Sequence, residues 1–201
     1  MAKNIECEKR VMLSKEQFKT IVKHYLKTEK IYKLVKQENV YFDDYLATIE
    51  NKKAILRIRK KKVTGKLKPE CEITFKYHSD EGSVEINQDI TPSQYASFKK
   101  KAILPEGDVM VELQKLVPEL GCLSIIGALT TLRYSFHQDG SLIEIDKNKY
   151  EGITDYNLEV EAISLDAAKH KILDLCEEFN INYSEDYITK NRRAINKRRG
   201  R

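Results

Sequence analysis

The sequence predicts an α+β protein built on a closed, eight-stranded antiparallel β-barrel with flanking helices. Eight segments alternate apolar and polar residues with a period of two, which is typical of strands with one buried face. Most of these segments are joined by tight turns or short helices, as antiparallel neighbours are. An even number of antiparallel strands can close into a barrel and so remove both sheet edges.

The predicted elements follow one another along the whole chain without an internal repeat or a linker. Residues 1–201 are therefore expected to form one domain with a basic helical end at about 185–201. Capping residues mark helix starts at Ser14, Thr91 and Ser164. The predicted strands are 4–10, 40–43, 54–62, 71–77, 83–90, 130–137, 142–147 and 156–163, and the predicted helices are about 15–27, 92–101, 108–117, 165–179 and a last one after 184.

Composition fits a globular protein with a highly charged surface, since 41% of the residues are hydrophobic and 33% are charged. The net charge of +5 is concentrated at the end of the chain, because residues 187–201 hold seven Lys and Arg residues and no acid. Nucleic acid binding is therefore expected at most through this tail. The four cysteines are widely spaced within apolar patterns, which predicts reduced core thiols, and no apolar leader or span is visible, so we expect a cytoplasmic protein without membrane contact.

The charges on the polar faces are sorted by sign. A single Glu-x-Glu pair on a strand is ordinarily a solvated feature of the wet face. Here acids cluster on some strands and arginines on another, although like charges directly opposite each other destabilise a sheet. If these faces point into the barrel, they enclose Glu6, Glu8, Glu85, Glu144, Asp146, Glu159 and Glu161 together with Arg10, Arg57, Arg59, Lys76 and Arg133.

The charges of such an interior must be compensated by water, ion pairs or a bound ion, because an unpaired buried carboxylate costs several kcal/mol. Clustered oxygen ligands without His or Cys suit a hard cation, Mg²⁺ or Mn²⁺. Arg and Lys provide donors that match phosphate oxygens. The combination predicts a polyphosphate bound together with a divalent metal ion.

These residues resemble the CYTH, or triphosphate tunnel metalloenzyme, family over nearly the whole chain and in the same order. The resemblance is carried by Glu6-x-Glu8, Leu-Arg57-Ile-Arg59, Thr74-Phe75-Lys76, Arg133, the Asp146 strand, Tyr156-Asn-Leu-Glu159-Val-Glu161 and Thr189-Lys190. Members of the family are eight-stranded tunnels that hydrolyse tripolyphosphate, thiamine triphosphate or RNA 5′-triphosphates, and one branch cyclises ATP. In place of the family's Glu-x-Glu-x-Lys opening, this chain has Arg10 at the Lys position, which keeps the charge but replaces a compact ammonium by a planar fork.

The resemblance implies a role for each matching residue. The implied metal ligands are Glu6, Glu8, Glu159 and Glu161, supported by Asp146 and Glu85. The implied phosphate ligands are Arg10, Arg57, Arg59, Lys76, Arg133 and Lys190. Glu8, Glu159, Glu161 and Lys76 are assigned to catalysis, in which a metal-activated water attacks the terminal phosphorus and no covalent enzyme intermediate forms.

The expected function is therefore a metal-dependent triphosphatase that acts on inorganic tripolyphosphate or on an organic triphosphate such as thiamine triphosphate. Two alternatives stay open on the same scaffold. One is an adenylyl cyclase of the class IV type, which would exclude water and hold the ribose 3′-hydroxyl. The other is a non-catalytic module that binds polyphosphate. The substrate is expected to be a small molecule, and the sequence makes no prediction of oligomeric state.

Overall fold

A computed structural model describes residues 7–29, 32–79, 82–184 and 188–200 of the chain. Within these ranges the protein has eight β-strands, as the alternation of apolar and polar residues predicts. They are β1 (Glu8–Leu13), β2 (Tyr32–Asp43), β3 (Ile55–Val63), β4 (Glu70–Ser79), β5 (Gly82–Ile90), β6 (Ser124–Gln138), β7 (Ser141–Tyr150) and β8 (Ile153–Glu161).

All the recorded strand pairs are antiparallel, and they form one sheet in the order β1-β8-β7-β6-β2-β3-β4-β5. Among the described residues the prediction of a closed barrel is wrong, because β1 and β5 are the two edges of the sheet and do not pair with each other there. An even strand number permits closure, but closure also requires that the first and last strands exchange backbone hydrogen bonds. The sheet that residues 8–161 form is therefore open.

Six helices accompany the sheet in the described part of the chain. Ser14 and Thr91 each form a capping box with the residue three positions later, and Ser164 caps its helix through the amide of Ala167. No helix in the described ranges is long and apolar enough to cross a membrane. The helices are α1 (Lys15–Thr28), α2 (Thr48–Asn51), α3 (Pro92–Lys101), α4 (Asp108–Leu116), α5 (Leu165–Glu178) and α6 (Lys190–Arg198).

The apolar residues of the strands form two cores on the outer face of the sheet. One core packs β2, β3, β4 and β5 against α2, α3 and α4, with Phe42 stacked on Phe98. The other packs β1, β6, β7 and β8 against α1 and α5, around buried residues such as Ile143 and Leu158. Because side chains alternate along a strand, burying this set on the outer face turns the charged set to the inner face.

The central strands β2 and β6 are longer than the alternation indicates, and a bulge lies between Tyr41 and Phe42. After this bulge, the buried carboxylate of Asp43 accepts hydrogen bonds from the amides of Ile49 and Glu50 at 3.0 Å. Asp44 accepts from the hydroxyl of Thr48 at 2.6 Å and from the amide of Gly121 at 2.9 Å. These bonds build the turn that positions α2, which the sequence analysis does not predict.

The four cysteines are free thiols. Cys71 and Cys176 are buried, Cys7 is half-buried, and Cys122 is exposed. The prediction of core thiols is therefore wrong for Cys122, which lies in the loop before β6 rather than on a strand.

Candidate functional site: a charged cavity on the inner face

The inner face of the sheet lines a cavity of about 1200 Å³. All eight strands contribute residues to its wall, and α2 and α6 contribute residues as well. Two groups of charged side chains on this wall carry the chemistry. The acid wall is defined as Glu8, Glu144, Glu159 and Glu161 with Arg10, Arg133 and Lys190, together with Asp146, which pairs with these cations without lining the cavity. The base wall is defined as Arg57, Arg59, Lys61 and Lys76 with Glu85, together with Glu72, which pairs with these cations without lining the cavity.

Arg133, on β6, holds the centre of the acid wall. Its Nε donates to Asp146 Oδ1 at 2.7 Å, and its Nη2 lies 2.7 Å from Asp146 Oδ2 and 2.7 Å from Glu159 Oε2. It also forms an ion pair with Glu144. The cross-strand register explains this cluster, because Arg133 lies opposite Asp146 on β7, and Glu144 lies opposite Glu159 on β8.

Lys190, the first residue of α6, enters the same cluster from the helix. Its Nζ donates to Asp146 Oδ2 at 2.6 Å and to Glu159 Oε2 at 3.0 Å. Asp146 is fully buried and Glu159 is 5% exposed, so both carboxylates depend on these cations for compensation. The structure thus brings together three residues that the sequence assigns to one site: Lys190, Asp146 and Glu159.

The pKa values of these carboxyl groups follow from their surroundings. Burial alone raises the pKa of Asp146, but Arg133 and Lys190 outweigh burial and hold it below its ordinary value. The same balance of burial against Lys190 and Arg133 lowers the pKa of Glu159. Burial and the charges of Asp146 and Glu159 instead raise the pKa of Glu144, although Arg133 opposes them.

The edge strand β1 carries Glu8 and Arg10 on the inner face. Glu8 lies opposite Glu161, and Arg10 lies opposite Glu159 in the pairing of β1 with β8. Arg10 forms an ion pair with Glu8, and its Nε lies 3.7 Å from Glu159 Oε1. The structure therefore places Glu8, Glu159 and Glu161 on adjoining positions of two paired strands. Glu6, the first predicted metal ligand, lies outside the described residues.

The base wall is built around Glu72, which lies among three cations of β3. Glu72 Oε1 is 3.3 Å from Arg59 Nη1 and 3.7 Å from Arg57 Nη2, and Glu72 Oε2 is 2.9 Å from Lys61 Nζ. Burial and the neighbouring charge of Arg57 lower the pKa of Arg59 to about 10. The cations of this wall are therefore only partly neutralised.

Arg57 has donors available for a ligand. Its Nη2 donates to Thr74 Oγ1 at 2.8 Å, while its buried Nε has no hydrogen-bond partner within the described ranges. A buried donor without an acceptor costs about 1–3 kcal/mol. This Nε is enclosed, so it would pair with an anion in the cavity only after a movement of the Arg57 side chain.

Lys76 and Glu85 pair across β4 and β5, with Lys76 Nζ 3.5 Å from Glu85 Oε2. Glu85 also accepts from Asn87 Nδ2 at 3.0 Å. Burial raises the pKa of Glu85, but Asn87, Arg57 and Lys76 together hold it below the ordinary value. The structure thus groups Glu85 with the base wall and not with the other predicted metal ligands.

The acid wall offers a divalent cation carboxylate oxygens that are already paired with cationic side chains. Within the described ranges, no three acid, His or Cys side chains converge closely enough to hold a metal ion, because Arg10, Arg133 and Lys190 engage the carboxylates. The chemistry of the donors nevertheless fits Mg²⁺ or Mn²⁺, since all of them are carboxylate oxygens. Glu8 and Glu161 face each other across the strand pair, which is unfavourable for like charges unless cations compensate them, and Arg10 already pairs with Glu8.

Several residues that shape this cavity or its surroundings were not predicted from the sequence. Glu72 lies on the same face as Thr74 and Lys76, so its alternation was a visible signal. Asp155 likewise extends the alternating face of Glu159 and Glu161 along β8. Its partner Arg193, on α6, had no such signal, because contacts between a helix and a distant strand leave no local pattern in the sequence.

The chain is similar to proteins of one known family. The chain matches the CYTH domain over residues 4–190. It is 33% identical over 193 residues, covering 96% of this chain and 94% of the relative, to a Bacillus subtilis (strain 168) protein named "Putative triphosphatase YjbK".

Solved structures show the same fold. A crystal structure from Bacillus halodurans, described as a "putative adenylate cyclase", has a TM-score of 0.81 and 28% identity, and the match covers 96% of this chain and 98% of that one. HpAC1 from Hippeastrum, described as a "putative adenylyl cyclase" with a dominant triphosphatase activity, has a TM-score of 0.77 and 18% identity, and the match covers 92% and 93% of the two chains. The chain belongs to the CYTH domain family.

Proposed function

We propose that this protein is a divalent-metal-dependent triphosphatase. The observation that carries the proposal is the separation of charge in the cavity, where carboxylates outnumber cations on the acid wall and cations outnumber carboxylates on the base wall. A triphosphate with a bound metal ion has complementary charges, because its oxygens suit the base wall and its cation suits the acid wall. Neither half of the cavity alone would suit such a ligand.

The acid wall is proposed to hold Mg²⁺ or Mn²⁺ through Glu8, Glu159 and Glu161, with Glu6 as a further ligand and Asp146 in support. Glu8 and Glu161 are paired by register, and Glu159 is two positions from Glu161 on the same face. When bound, the cation would polarise phosphate oxygens and lower the pKa of a bound water. The contact of Glu85 with Lys76 argues that Glu85 positions this lysine rather than binding the metal.

The phosphate groups are proposed to contact the cations of both walls. Arg57 and Arg59 both line the cavity, and the remaining donors of their guanidinium groups would contact phosphate oxygens on the base wall, since Arg57 Nε is buried and Arg59 Nε donates to Asn39 Oδ1 at 2.8 Å. Lys76 adds a mobile point charge on the neighbouring strand. On the acid wall Arg10, Arg133 and Lys190 would exchange part of their carboxylate contacts for phosphate oxygens.

The reaction we propose is direct attack of water on the terminal phosphorus. Glu8, together with Glu159 or Glu161, orients the water and accepts its proton. The bond from this phosphorus to the bridging oxygen breaks, and inorganic phosphate and the shortened phosphate chain leave. Lys76, Arg133 and Lys190 stabilise the negative charge that develops on the transferred and leaving oxygens.

Inorganic tripolyphosphate is the substrate we favour over thiamine triphosphate. Thiamine recognition would require an aromatic face that is open to the cavity. Among the Tyr and Phe residues that line the described wall, Tyr41 is 4% exposed and packs with Ala194 and Ile195 of α6, and Phe42 is stacked on Phe98. Tyr32 is 47% exposed, but one face of its ring is already stacked on Phe136. A triphosphate without an aromatic group makes better use of the charged wall.

The name of the Bacillus subtilis relative supports hydrolysis, since that protein is 33% identical over nearly the whole of both chains. The second candidate is an adenylyl cyclase, which the description of the Bacillus halodurans structure at 28% identity favours. A cyclase would direct the ribose 3′-hydroxyl of ATP at the α-phosphorus and release diphosphate, whereas a triphosphatase directs water at the terminal phosphorus. A phosphate-binding module without catalysis would form no product.

Product analysis distinguishes these functions. Purified protein is incubated with tripolyphosphate, thiamine triphosphate or ATP in the presence of Mg²⁺ or Mn²⁺, and products are separated by anion-exchange chromatography. The proposal expects phosphate and diphosphate from tripolyphosphate as the fastest reaction. Formation of cyclic AMP and diphosphate from ATP would show that the protein is a cyclase instead of a triphosphatase. Binding of all three compounds without any product would show that it is a binding module.

A further inference from the structure

The last helix, α6, lies on the inner face of the sheet, with Ala194 and Ile195 buried. These two residues pack with Tyr41, Leu129 and Tyr150. The approach to the sheet is close, since a Cβ added to Gly127 on β6 would lie 2.9 Å from Ile195 Cγ1 and 3.2 Å from its Cα. The glycine thus allows the helix backbone to contact the strand, and this contact fixes the distance of α6 from β6.

The first turn of α6 is electrostatically unfavourable by itself. Lys190, Arg192 and Arg193 all lie there, with no acid in the turn and no side-chain cap at Thr189. Cations at a helix N-terminus oppose the macrodipole. The turn therefore depends on acids from other elements. Arg192 and Arg199 form ion pairs with Glu50 of α2, and Arg193 forms one with Asp155 of β8.

The pair of Arg193 and Asp155 has the geometry of a rigid clamp. Arg193 Nε donates to Asp155 Oδ2 at 2.8 Å and Nη2 donates to Oδ1 at 3.0 Å, and each side chain is 14% exposed. Asp155 is itself held by the hydroxyl of Tyr150 at 2.6 Å and by Asn148 Nδ2 at 3.0 Å. Arg193 Nη1 also donates to the carbonyl of Ile188 at 2.6 Å, which fastens the chain just before Lys190.

This clamp lies one helical turn from Lys190, whose Nζ contacts Asp146 and Glu159. Residues three apart on a helix share a face, so Lys190 and Arg193 both point toward β7 and β8. Polar contacts continue between the two points, because Asn148 Nδ2 donates to Asn157 Oδ1 at 2.7 Å. A lysine has a long flexible side chain at a helix end, where order is lowest, so its position depends on how firmly the turn is held.

We propose that Arg193 and Asp155 are positioning residues that hold Lys190 at Asp146 and Glu159. The catalytic consequence of this role rests on the proposed triphosphatase function, whereas the positioning itself does not. The same contacts give the basic end of the chain an intramolecular purpose, since Arg192, Arg193, Arg198 and Arg199 each have an acidic partner within the protein.

The test measures the reactivity of the Lys190 amine, which needs no substrate. Folded wild-type protein and the variants Arg193→Gln and Asp155→Asn are treated with acetic anhydride, and acetylation of Lys190 is quantified by mass spectrometry relative to exposed Lys149. The matched control is Arg198→Gln, which removes another arginine from the same helix. The Arg198 side chain is 45% exposed, and its Nη1 lies 3.4 Å from Glu151 Oε1. Circular dichroism verifies that each variant is folded.

We expect the relative acetylation rate of Lys190 to rise about tenfold in Arg193→Gln and Asp155→Asn, because the first turn of α6 opens more often. Arg198→Gln should match the wild type. Arg193→Lys, which keeps the charge but loses the fork, should fall between them and provides a milder variant if Arg193→Gln is unfolded. Wild-type reactivity of Lys190 in folded Arg193→Gln or folded Arg193→Lys overturns the proposal.

Kinetics separate this inference from the proposed function. If tripolyphosphate is a substrate, kcat/KM should fall about tenfold in Arg193→Gln, recover in part in Arg193→Lys and stay unchanged in Arg198→Gln. Raised Lys190 reactivity without hydrolysis of any triphosphate by the wild type would uphold the positioning role and overturn the triphosphatase. Hydrolysis by the wild type with unchanged Lys190 reactivity in the variants would uphold the triphosphatase and overturn the positioning role.

Discussion

Lys190 Nζ, at the start of the C-terminal helix, lies 2.6 Å from Oδ2 of Asp146 in the middle of β7. This contact joins residues 44 positions apart and places a helix cation in the most buried part of the acid wall. Arg133 contacts the same carboxylate from β6. Asp146 therefore has two cationic partners from two different elements, and the stability of the acid wall depends on it.

Replacing Asp146 by alanine should strongly destabilise the protein. The change removes the shared partner of Arg133 and Lys190 at a fully buried position, and breaking a buried pair in this way costs about 3 kcal/mol. Urea denaturation monitored by circular dichroism measures the loss. The control is Glu151→Ala, whose side chain is 41% exposed and pairs with Arg198 on the surface, so its free energy of unfolding should change by less than about 0.5 kcal/mol. Equal effects of the two substitutions would show that the buried contacts of Asp146 do not stabilise the acid wall.

Arg57→Gln should weaken substrate binding with little effect on stability. After the change Thr74 still donates to Asn87 Oδ1, and Glu72 keeps Arg59 and Lys61, so no buried partner is left without a contact. Loss of a charge-assisted bond to phosphate costs about 1.5–3 kcal/mol, which corresponds to a rise in KM of roughly tenfold or more. Steady-state phosphate release measures KM, and Lys66→Gln in the exposed turn after β3 serves as the control. An unchanged KM in Arg57→Gln would remove Arg57 from the binding site.

Gly127→Ala should displace α6. The new methyl group would lie 2.9 Å from Ile195 Cγ1 and 3.2 Å from its Cα, and the second contact is with backbone that a rotamer change cannot move. Overpacking of this kind costs about 1–3 kcal/mol, which thermal unfolding detects. A double-mutant cycle with Ile195→Ala supplies the control, because removing Cγ1 should recover part of the loss. Strict additivity of the two substitutions would show that the contact is not tight.

The loss of thermal stability at acidic pH should depend on Asp44. Burial raises its pKa, but hydrogen bonds from Thr48 and Gly121 outweigh burial and hold the pKa below the ordinary value. A lowered folded-state pKa stabilises the protein above the unfolded pKa of about 3.9, and this contribution is lost as the pH falls toward the folded pKa. Asp44→Asn should therefore lower Tm most at pH 6–7 and flatten its fall below about pH 4.

The control for this pH series is Asp139→Asn in the β6–β7 turn. Asp139 is 77% exposed, and its backbone φ of 50° is one that asparagine adopts readily. Its Tm profile should follow the wild type from pH 3 to pH 7. If, below about pH 4, the Tm of Asp44→Asn falls as steeply as that of the wild type, protonation of Asp44 does not contribute to the loss of stability in acid.

The sequence predicts most of the sheet and most of the cavity because both depend on local alternation. Arg57 and Arg59, or Glu159 and Glu161, share a face wherever their strand lies, so their orientation could be derived without a structure. The CYTH family assignment follows from the same residues and is confirmed. Roles of the individual site residues, a single domain and a cytoplasmic location stay predictions.

The features that sequence analysis missed depend on contacts between distant segments. Closure of the sheet is decided by whether β1 and β5 meet, and nothing in either strand's alternation reports on this. The turn at Asp43 and Asp44 is held by hydrogen bonds from backbone amides to the two carboxylates. In the sequence, a strand pattern that ends in Asp looks the same whether or not such bonds form. The clamp of Arg193 on Asp155 spans 38 positions, and only the packing of α6 reveals it.

Release of phosphate from tripolyphosphate, measured with saturating Mg²⁺ and again with excess EDTA, tests whether this protein is a metal-dependent triphosphatase. A cavity with one wall for a cation and one for phosphates predicts rapid release with Mg²⁺ and loss of at least about a hundredfold in rate with EDTA. Glu8→Gln should reduce the Mg²⁺-dependent rate to a similar extent while the protein stays folded. Equal rates with Mg²⁺ and with EDTA would show that hydrolysis does not depend on a metal ion, and a folded Glu8→Gln variant with the full rate would remove Glu8 from catalysis.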